Sequence, residues 1–190
     1  MSSTVQRFDV ADLPATPWKN GGGSTREIAS WPPGAGFEGF DWRVSVASIA
    51  ASGPFSTFAG VDRIITLLEG DGVRLHGEDL EHRLATPLAP FAFSGDARVD
   101  CTLLGGPSSD FNVMTRRGRL RAALHVLHRG AELPAAAHGL LLAWRGRWRA
   151  GSEALAPGQG LWWSDAATGW PLDTADADAA LLAVQWHPAR

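Results

Sequence analysis

Lys19 is the only lysine among the seventeen lysine and arginine residues of this 190-residue chain; every other one is an arginine. It stands in the stretch PWKNGGGSTREI (residues 17–28), between Trp18 and Asn20 and just ahead of Gly21, Gly22 and Gly23. A compact ammonium, an amide that both donates and accepts, and a backbone free of Cβ atoms can together grip an anion or an amide-bearing ligand. Lysine before the glycines excludes a phosphate P-loop, which needs the glycines first. The same composition also suits a plain turn carrying a surface lysine.

Two arginines invite the same chemistry. In DWRVSVASIAA (41–51), alternation puts Trp42, Val44 and Val46 on one face and Arg43, Ser45 and Ala47 on the other. The small neighbours leave room beside Arg43. In DRIITLLEGDGVRLHG (62–77), Arg63 shares its face with Ile65 and Leu67, the face expected to line a barrel. An inward arginine needs an anion or an acidic neighbour. Asp62, Glu27 and Asp41 are the neighbours the sequence offers, and a ligand carboxylate, matched by the planar guanidinium fork, is the alternative.

Other chemistries find less support. Cys101 lies in VDCTLL, a buried-strand pattern rather than a nucleophile's setting, and Ser45 and Ser56 have no nearby cue for an activating base. The six histidines are scattered; His125 and His128 would face opposite ways on a strand. Trp18, Trp31 and Trp42 can wall an apolar site, although most of the nine tryptophans fit a core.

The elements that must position these residues are β-strands. Twenty-two glycines and twelve prolines punctuate short runs of β-formers, a pattern of sandwiches and barrels. A repeat of roughly 75 residues follows: GLLLAWRGRWRAG (139–151) repeats ITLLEGDGVRLHG, EALAPGQGLWWS repeats HRLATPLAPFAFSG, and ADAALLAVQWHP is aligned with DARVDCTLLGGP. The fold expected is all-β, a duplicated antiparallel jelly roll. The joint falls near MTRRGRLRAAL, whose Arg116, Arg117, Arg119 and Arg121 read as a solvated linker face. A net charge of −3 gives no electrostatic case for nucleic acid. No 18-residue apolar run or basic-plus-apolar leader is present, and a single cysteine fits a reducing compartment, so a soluble cytoplasmic protein is expected.

The strand–turn–strand of the first half resembles a cupin barrel, and PWKNGGGSTREI, WRVSVASI, GPFSTFAGVDRIITLLEGDGVRL and GGPSSDFNVMTRRG are similar to the HutD/Ves family. Phe58-Ala59-Gly60 departs from that family's Phe-Pro-Gly, a change expected to loosen a loop rather than alter chemistry. The resemblance implies two cupin (RmlC-like) barrels, a bicupin, with a ligand-binding barrel over 1–116 and a degenerate one over 117–190. Metal-dependent cupins set two histidines and a glutamate ahead of the glycine turn. Counting back from Gly70 puts Ser56 and Phe58 in the histidine slots and Arg63 in the glutamate slot. None of the three is an ordinary metal ligand, and the guanidinium reverses the charge of the site. A metal-free, cofactor-free barrel for a small anion is therefore expected, with Trp18, Lys19, Asn20, Gly21, Gly22, Arg43, Ser45, Ser56, Phe58 and Arg63 around it. The resemblance implies N-formylglutamate as the ligand, a regulatory role in histidine utilisation, and, by analogy with other cupins, room for a homodimer. The competing reading is a metal-independent isomerase or hydrolase acting on a related acylamino acid, using Lys19 or Glu27 for proton transfer.

Overall fold

The structure, a computed structural model, describes residues 5–189. Its strands run β1 (Gln6–Asp9), β2 (Thr16–Pro17), β3 (Gly23–Trp31), β4 (Trp42–Ile49), β5 (Gly53–Pro54), β6 (Val61–Glu69), β7 (Val73–His76), β8 (Glu81–Leu84), β9 (Pro90–Ser94), β10 (Asp100–Leu103) and β11 (Ser108–Arg116). A second series follows as β12 (Leu120–Leu127), β13 (Ala131–Ala136), β14 (His138–Arg145), β15 (Trp148–Ala150), β16 (Glu153–Leu155), β17 (Gln159–Trp163), β18 (Thr168–Asp173) and β19 (Ala180–Pro188). Among the described residues helix is confined to single turns, the longest being α1 (Gly36–Gly39).

The chain divides into two compact units. Pro14–Arg119 forms one, and the residues from Leu120 onward form the other together with the N-terminal stretch up to Leu13. In the Pro14–Arg119 unit a six-stranded sheet, β2-β3-β4-β11-β6-β9, packs on a four-stranded sheet, β5-β10-β7-β8. Ile49, Ile65, Leu67 and Phe93 of the larger sheet meet Val73, Leu75, Leu84 and Cys101 of the smaller in one apolar cluster. The β6–β7 turn pivots on Gly70 and Gly72 at φ +94° and +88°. A Cβ at Gly70 would fall 2.4 Å from the Pro107 carbonyl oxygen, so only glycine lets the hairpin close there.

The second unit repeats the plan of β4 to β11, without counterparts of β2 and β3. Its larger sheet runs β1-β17-β14-β19-β12 and its smaller β13-β18-β15-β16. In hydrogen-bond order β12 to β19 therefore correspond to β4 to β11. The closing strand differs from the alignment drawn from sequence: β19 answers to β11, and DARVDCTLLGGP, which holds β10, answers to β18. The apolar run of β19 drew the alignment to β10 because β11 alternates polar and apolar residues, for a reason that appears in the site. The boundary differs as well. The break falls after Arg119 rather than 116, and β1 pairs with β17, Gln6 opposite Trp162 through Asp9 opposite Gln159, so the first strand belongs to the second unit. Arg7 anchors it there, donating to the Ala154 carbonyl at 2.6 Å and to Gln159 Oε1 at 2.9 Å.

Candidate functional site: a charged row inside the first barrel

Strand β11 lies between β4 and β6, and its register aligns three rows. Met114 is opposite Arg43 and Arg63, Asn112 opposite Ser45 and Ile65, and Asp110 opposite Ala47 and Leu67. Residues directly opposite share a face, so these nine side chains line the same inner surface. Arg43, Ser45, Arg63, Asp110 and Asn112 are all buried.

Arg63 is 5 % exposed and turned inward, as its alternation with Ile65 and Leu67 requires. Three phenyl rings surround its guanidinium, with centroids 4.9 Å (Phe93), 5.4 Å (Phe55) and 5.5 Å (Phe58) away. Its Nη1 donates to the Ser56 carbonyl oxygen at a long 3.4 Å, and among the described residues Nε has no hydrogen-bond partner. Burial lowers its pKa to about 10, against the attraction of Asp110 and with the repulsion of Arg43. Asp110, 2 % exposed, is pushed the other way: burial raises its carboxyl to about 7, with Arg63 opposing. Its Oδ1 and the Oδ1 of Asn112 are also without hydrogen-bond partners among the described residues. Three polar atoms thus remain unsatisfied on one buried surface, a costly arrangement for a core and a ready one for a ligand.

Arg43 is already paired. Its Nε donates to Glu27 Oε2 at 2.5 Å, and its guanidinium lies 4.8 Å from the Phe37 ring centroid. Of the acidic neighbours the sequence offered, Glu27 takes Arg43, whereas Asp62 pairs with Arg117 and Asp41 with Arg119. The arginines near the joint are correspondingly not a plain solvated face. Arg116 donates to the carbonyls of Ala59, Glu38 and Phe40, and Arg117 also binds Asp96 at 2.7 Å. The triple contact with Asp62, Asp96 and Ser94 clamps the β11 end onto β6 and β9.

The Lys19 segment forms the β2–β3 hairpin turn. The Gly21 N–H donates to the Trp18 carbonyl at 3.0 Å and the Gly22 N–H to Asn20 Oδ1 at 2.9 Å. Those amides are spent on the turn, so the anion nest that three glycines could form is closed at Gly21 and Gly22. Lys19 and Asn20 are exposed. Trp18 does reach the barrel lining: its indole N–H donates to Thr25 Oγ1 at 2.8 Å, and its ring stands edge-on to Phe55, with centroids 6.3 Å apart. Ser56 and Phe58 lie in the loop between β5 and β6. Ser56 is exposed and contributes its carbonyl, and the Phe58 ring lies beside Arg63 and tilted against Phe37. The structure therefore brings together Trp18, Arg43, Ser45, Phe58 and Arg63, with the Ser56 backbone, and sets Lys19, Asn20, Gly21 and Gly22 on the turn. Glu27 is held by Arg43, and Lys19 stands outside the buried rows.

Asp110 and Asn112 were not singled out by sequence reasoning. SSDFNVMT alternates polar and apolar residues, which ordinarily marks the polar side as solvent-facing; only the pairing with β4 and β6 reveals that it faces inward. The residues in the cupin metal slots do not fit a metal, since a guanidinium, a phenyl ring and an exposed serine supply no adequate donor set. Among the described residues no three His, Cys, Asp or Glu side chains gather as a metal site would need. Cys101 is buried, its thiol pushed up to about 12 by burial and by Asp110, which leaves it unreactive.

The equivalent surface of the second unit is largely apolar, with a buried Gln185 at the place of Met114, whose Nε2 donates to the Pro134 carbonyl. Where Arg63 pairs with Phe93, Gly139 pairs with Trp163, and a Cβ on Gly139 would fall 2.1 Å from the Trp163 ring. Asp110 and Asn112 are answered by Leu181 and Ala183, which pack with Leu141, Ala143 and Trp163 in a closed core.

A twice-repeated jelly roll in which one barrel keeps a charged interior defines a bicupin. The chain belongs to the HutD family, whose model matches residues 10–182. It is 37 % identical over 185 residues to Protein Ves of Citrobacter koseri, covering 97 % of this chain and 96 % of that one. It is 46 % identical over 140 residues to an uncharacterised 21.2 kDa protein of the hutC 3′ region of Pseudomonas putida, covering 74 % and 73 %. The structure of HutD from Pseudomonas fluorescens SBW25 superposes with a TM-score of 0.85 at 33 % identity, covering 98 % and 100 %. Oxalate decarboxylase from Lactobacillus farciminis, at 7 % identity and a TM-score of 0.69 over 99 % and 89 %, shares the fold alone. The family ties the chain to histidine-utilisation genes. No helix among the described residues is long and apolar enough to cross a membrane.

Proposed function

We propose that the Pro14–Arg119 barrel is a metal-free receptor for a small anionic metabolite, N-formylglutamate, and that binding serves regulation of histidine utilisation rather than catalysis. The observation that carries this reading is Arg63: a guanidinium 5 % exposed, ringed by phenyl groups, with, among the described residues, Nε unbonded and a long hydrogen bond from Nη1. Such a group is destabilising by itself and is satisfied by a carboxylate that fits its fork. The formamide fits the same surface, because its N–H can donate to the open Oδ1 of Asn112. Phe55, Phe58 and Phe93 offer apolar faces to the methylene chain. A second carboxylate can compete with Glu27 for Arg43.

Titration calorimetry with N-formylglutamate tests the assignment. Wild-type protein gives a saturable heat, and Arg63→Ala loses about 2–5 kcal/mol of binding, the range for truncating one side of a desolvated charge pair. Equal heats from both proteins would sink the assignment. Proton NMR of the ligand after long incubation should show it unchanged; turnover would favour the isomerase or hydrolase reading.

A further inference from the structure

Asp110 places a carboxyl group on the surface that holds Arg63, yet among the described residues no hydrogen bond joins the two, and Asp110 Oδ1 is open. The groups facing it can be named from each packed element. Strand β6 supplies Arg63, and β4 supplies Arg43, already matched by Glu27 of β3. Strand β10 of the opposing sheet supplies Cys101, a neutral thiol, and the flanking Asn112, Ser45, Ala47 and Leu67 carry no charge. Among the described residues, one uncommitted cation therefore serves this interior. A guest carboxylate on Arg63 would leave an ionised Asp110 as a second, uncompensated anion in a buried site. One of the two must hold a proton, and the guest's carboxylate, bound in the guanidinium fork, is the stronger acid of the pair.

We propose that Asp110 enters the complex as a neutral carboxylic acid, donating its O–H to an oxygen of the guest while Arg63 holds the guest's carboxylate, so that above neutral pH each guest is bound together with one proton. The inference rests on the carboxylate-ligand reading given above. Burial already raises the Asp110 carboxyl to about 7, so the step requires a small further rise. The O–H donor also specifies the guest: an acid with an acceptor oxygen beyond its first carboxylate is favoured over a simple alkanoate.

Proton-linked calorimetry with N-formylglutamate decides it. Titrations in two buffers of different ionisation enthalpy count the protons taken up between about pH 6 and pH 8.5. The wild-type count rises from near zero to near one, and affinity falls by up to about tenfold for each pH unit above about 7. Asp110→Asn, which keeps the shape and a donor but cannot titrate, gives a flat profile and no uptake. Binding with no proton uptake in the wild type, or with the same uptake in the variant, overturns this inference alone. Absence of N-formylglutamate binding at every pH overturns the ligand reading and this inference together. Should Asp110→Asn fail to fold, the wild-type count decides by itself.

Discussion

Replacing Arg63 by methionine should abolish ligand binding without weakening the empty protein. Burial lowers the Arg63 pKa from 12.5 to about 10. At about 1.36 kcal/mol for each pH unit, holding the charged form inside costs about 3 kcal/mol. The depressed value puts that cost in full force at every pH below about 10. Three ring contacts return part of it, and methionine keeps some of them through its sulfur and methylenes. Asp110 does not become a stranded charge, because without Arg63 its acid rises further above about 7 and stays protonated. The expected change at pH 6 is between no effect and a gain of about 2 kcal/mol, read from urea denaturation without ligand. For a chain of this size, such a gain raises the melting temperature by several degrees. A structural ion pair would behave oppositely, since losing one partner of a buried pair destabilises by about 3–5 kcal/mol. A loss beyond about 2 kcal/mol at pH 6 would therefore refute the reasoning and make Arg63 a structural member of the core.

Asp110→Asn should flatten the pH dependence of stability. A folded pKa of about 7 against 3.8 unfolded gives wild type a stabilisation complete below pH 3.8 and lost as pH rises through about 7, at most about 4 kcal/mol; parallel urea midpoints from pH 4 to 8 in both proteins would contradict this. Asp96, held down to about 2 by Arg117, the Gly60 N–H and Ser94, acts in the opposite sense, its stabilisation fading as pH falls from about 4 through about 2 in both proteins. Gly139→Ala drives a methyl into the Trp163 ring and should cost about 1–3 kcal/mol or more in urea, while N-formylglutamate binding by the folded fraction is retained; lost binding would place the site elsewhere. Cys101 should stay unmodified by a thiol reagent at pH 8 until denaturant is added, and prompt reaction in the native protein would contradict its burial.

The strands were legible because glycine turns and alternating residues mark them locally, and Arg63 was legible because its neighbours Ile65 and Leu67 are plainly core. What local pattern does not carry is register. Asp110 and Asn112 look like the wet side of a strand until β11 is seen flanked by β4 and β6. Strand β1 is equally silent, since its partner β17 lies some 150 residues away and nothing in QRFD names it. The glycines after Lys19 misled for a different reason. Composition tells which backbone angles are allowed, whereas the destination of each N–H depends on the turn that forms, and here Trp18 and Asn20 claim two of them. The chain's single lysine drew attention to the turn, while the uncommitted charge sits on Arg63.

The two units share one plan, and their differences separate what the fold needs from what the site needs. At the place of Arg63 and Phe93 the second unit has Gly139 and Trp163, so an indole occupies the volume that the guanidinium takes in the first. At the places of Asp110 and Asn112 it has Leu181 and Ala183. All four changes run toward a sealed apolar core of tryptophan, leucine and alanine, which is what burial free energy alone favours. The second unit thus shows that this topology closes without interior charge. Arg63, Asp110 and Asn112 are therefore not demanded by the strands that carry them, and each retains an unsatisfied polar atom that a folding-only role would have removed. A fold that can close one barrel on a largely apolar interior, yet in its other copy leaves a donor and two acceptors open among the described residues, presents the surface on which the proposed guest would complete the hydrogen bonding.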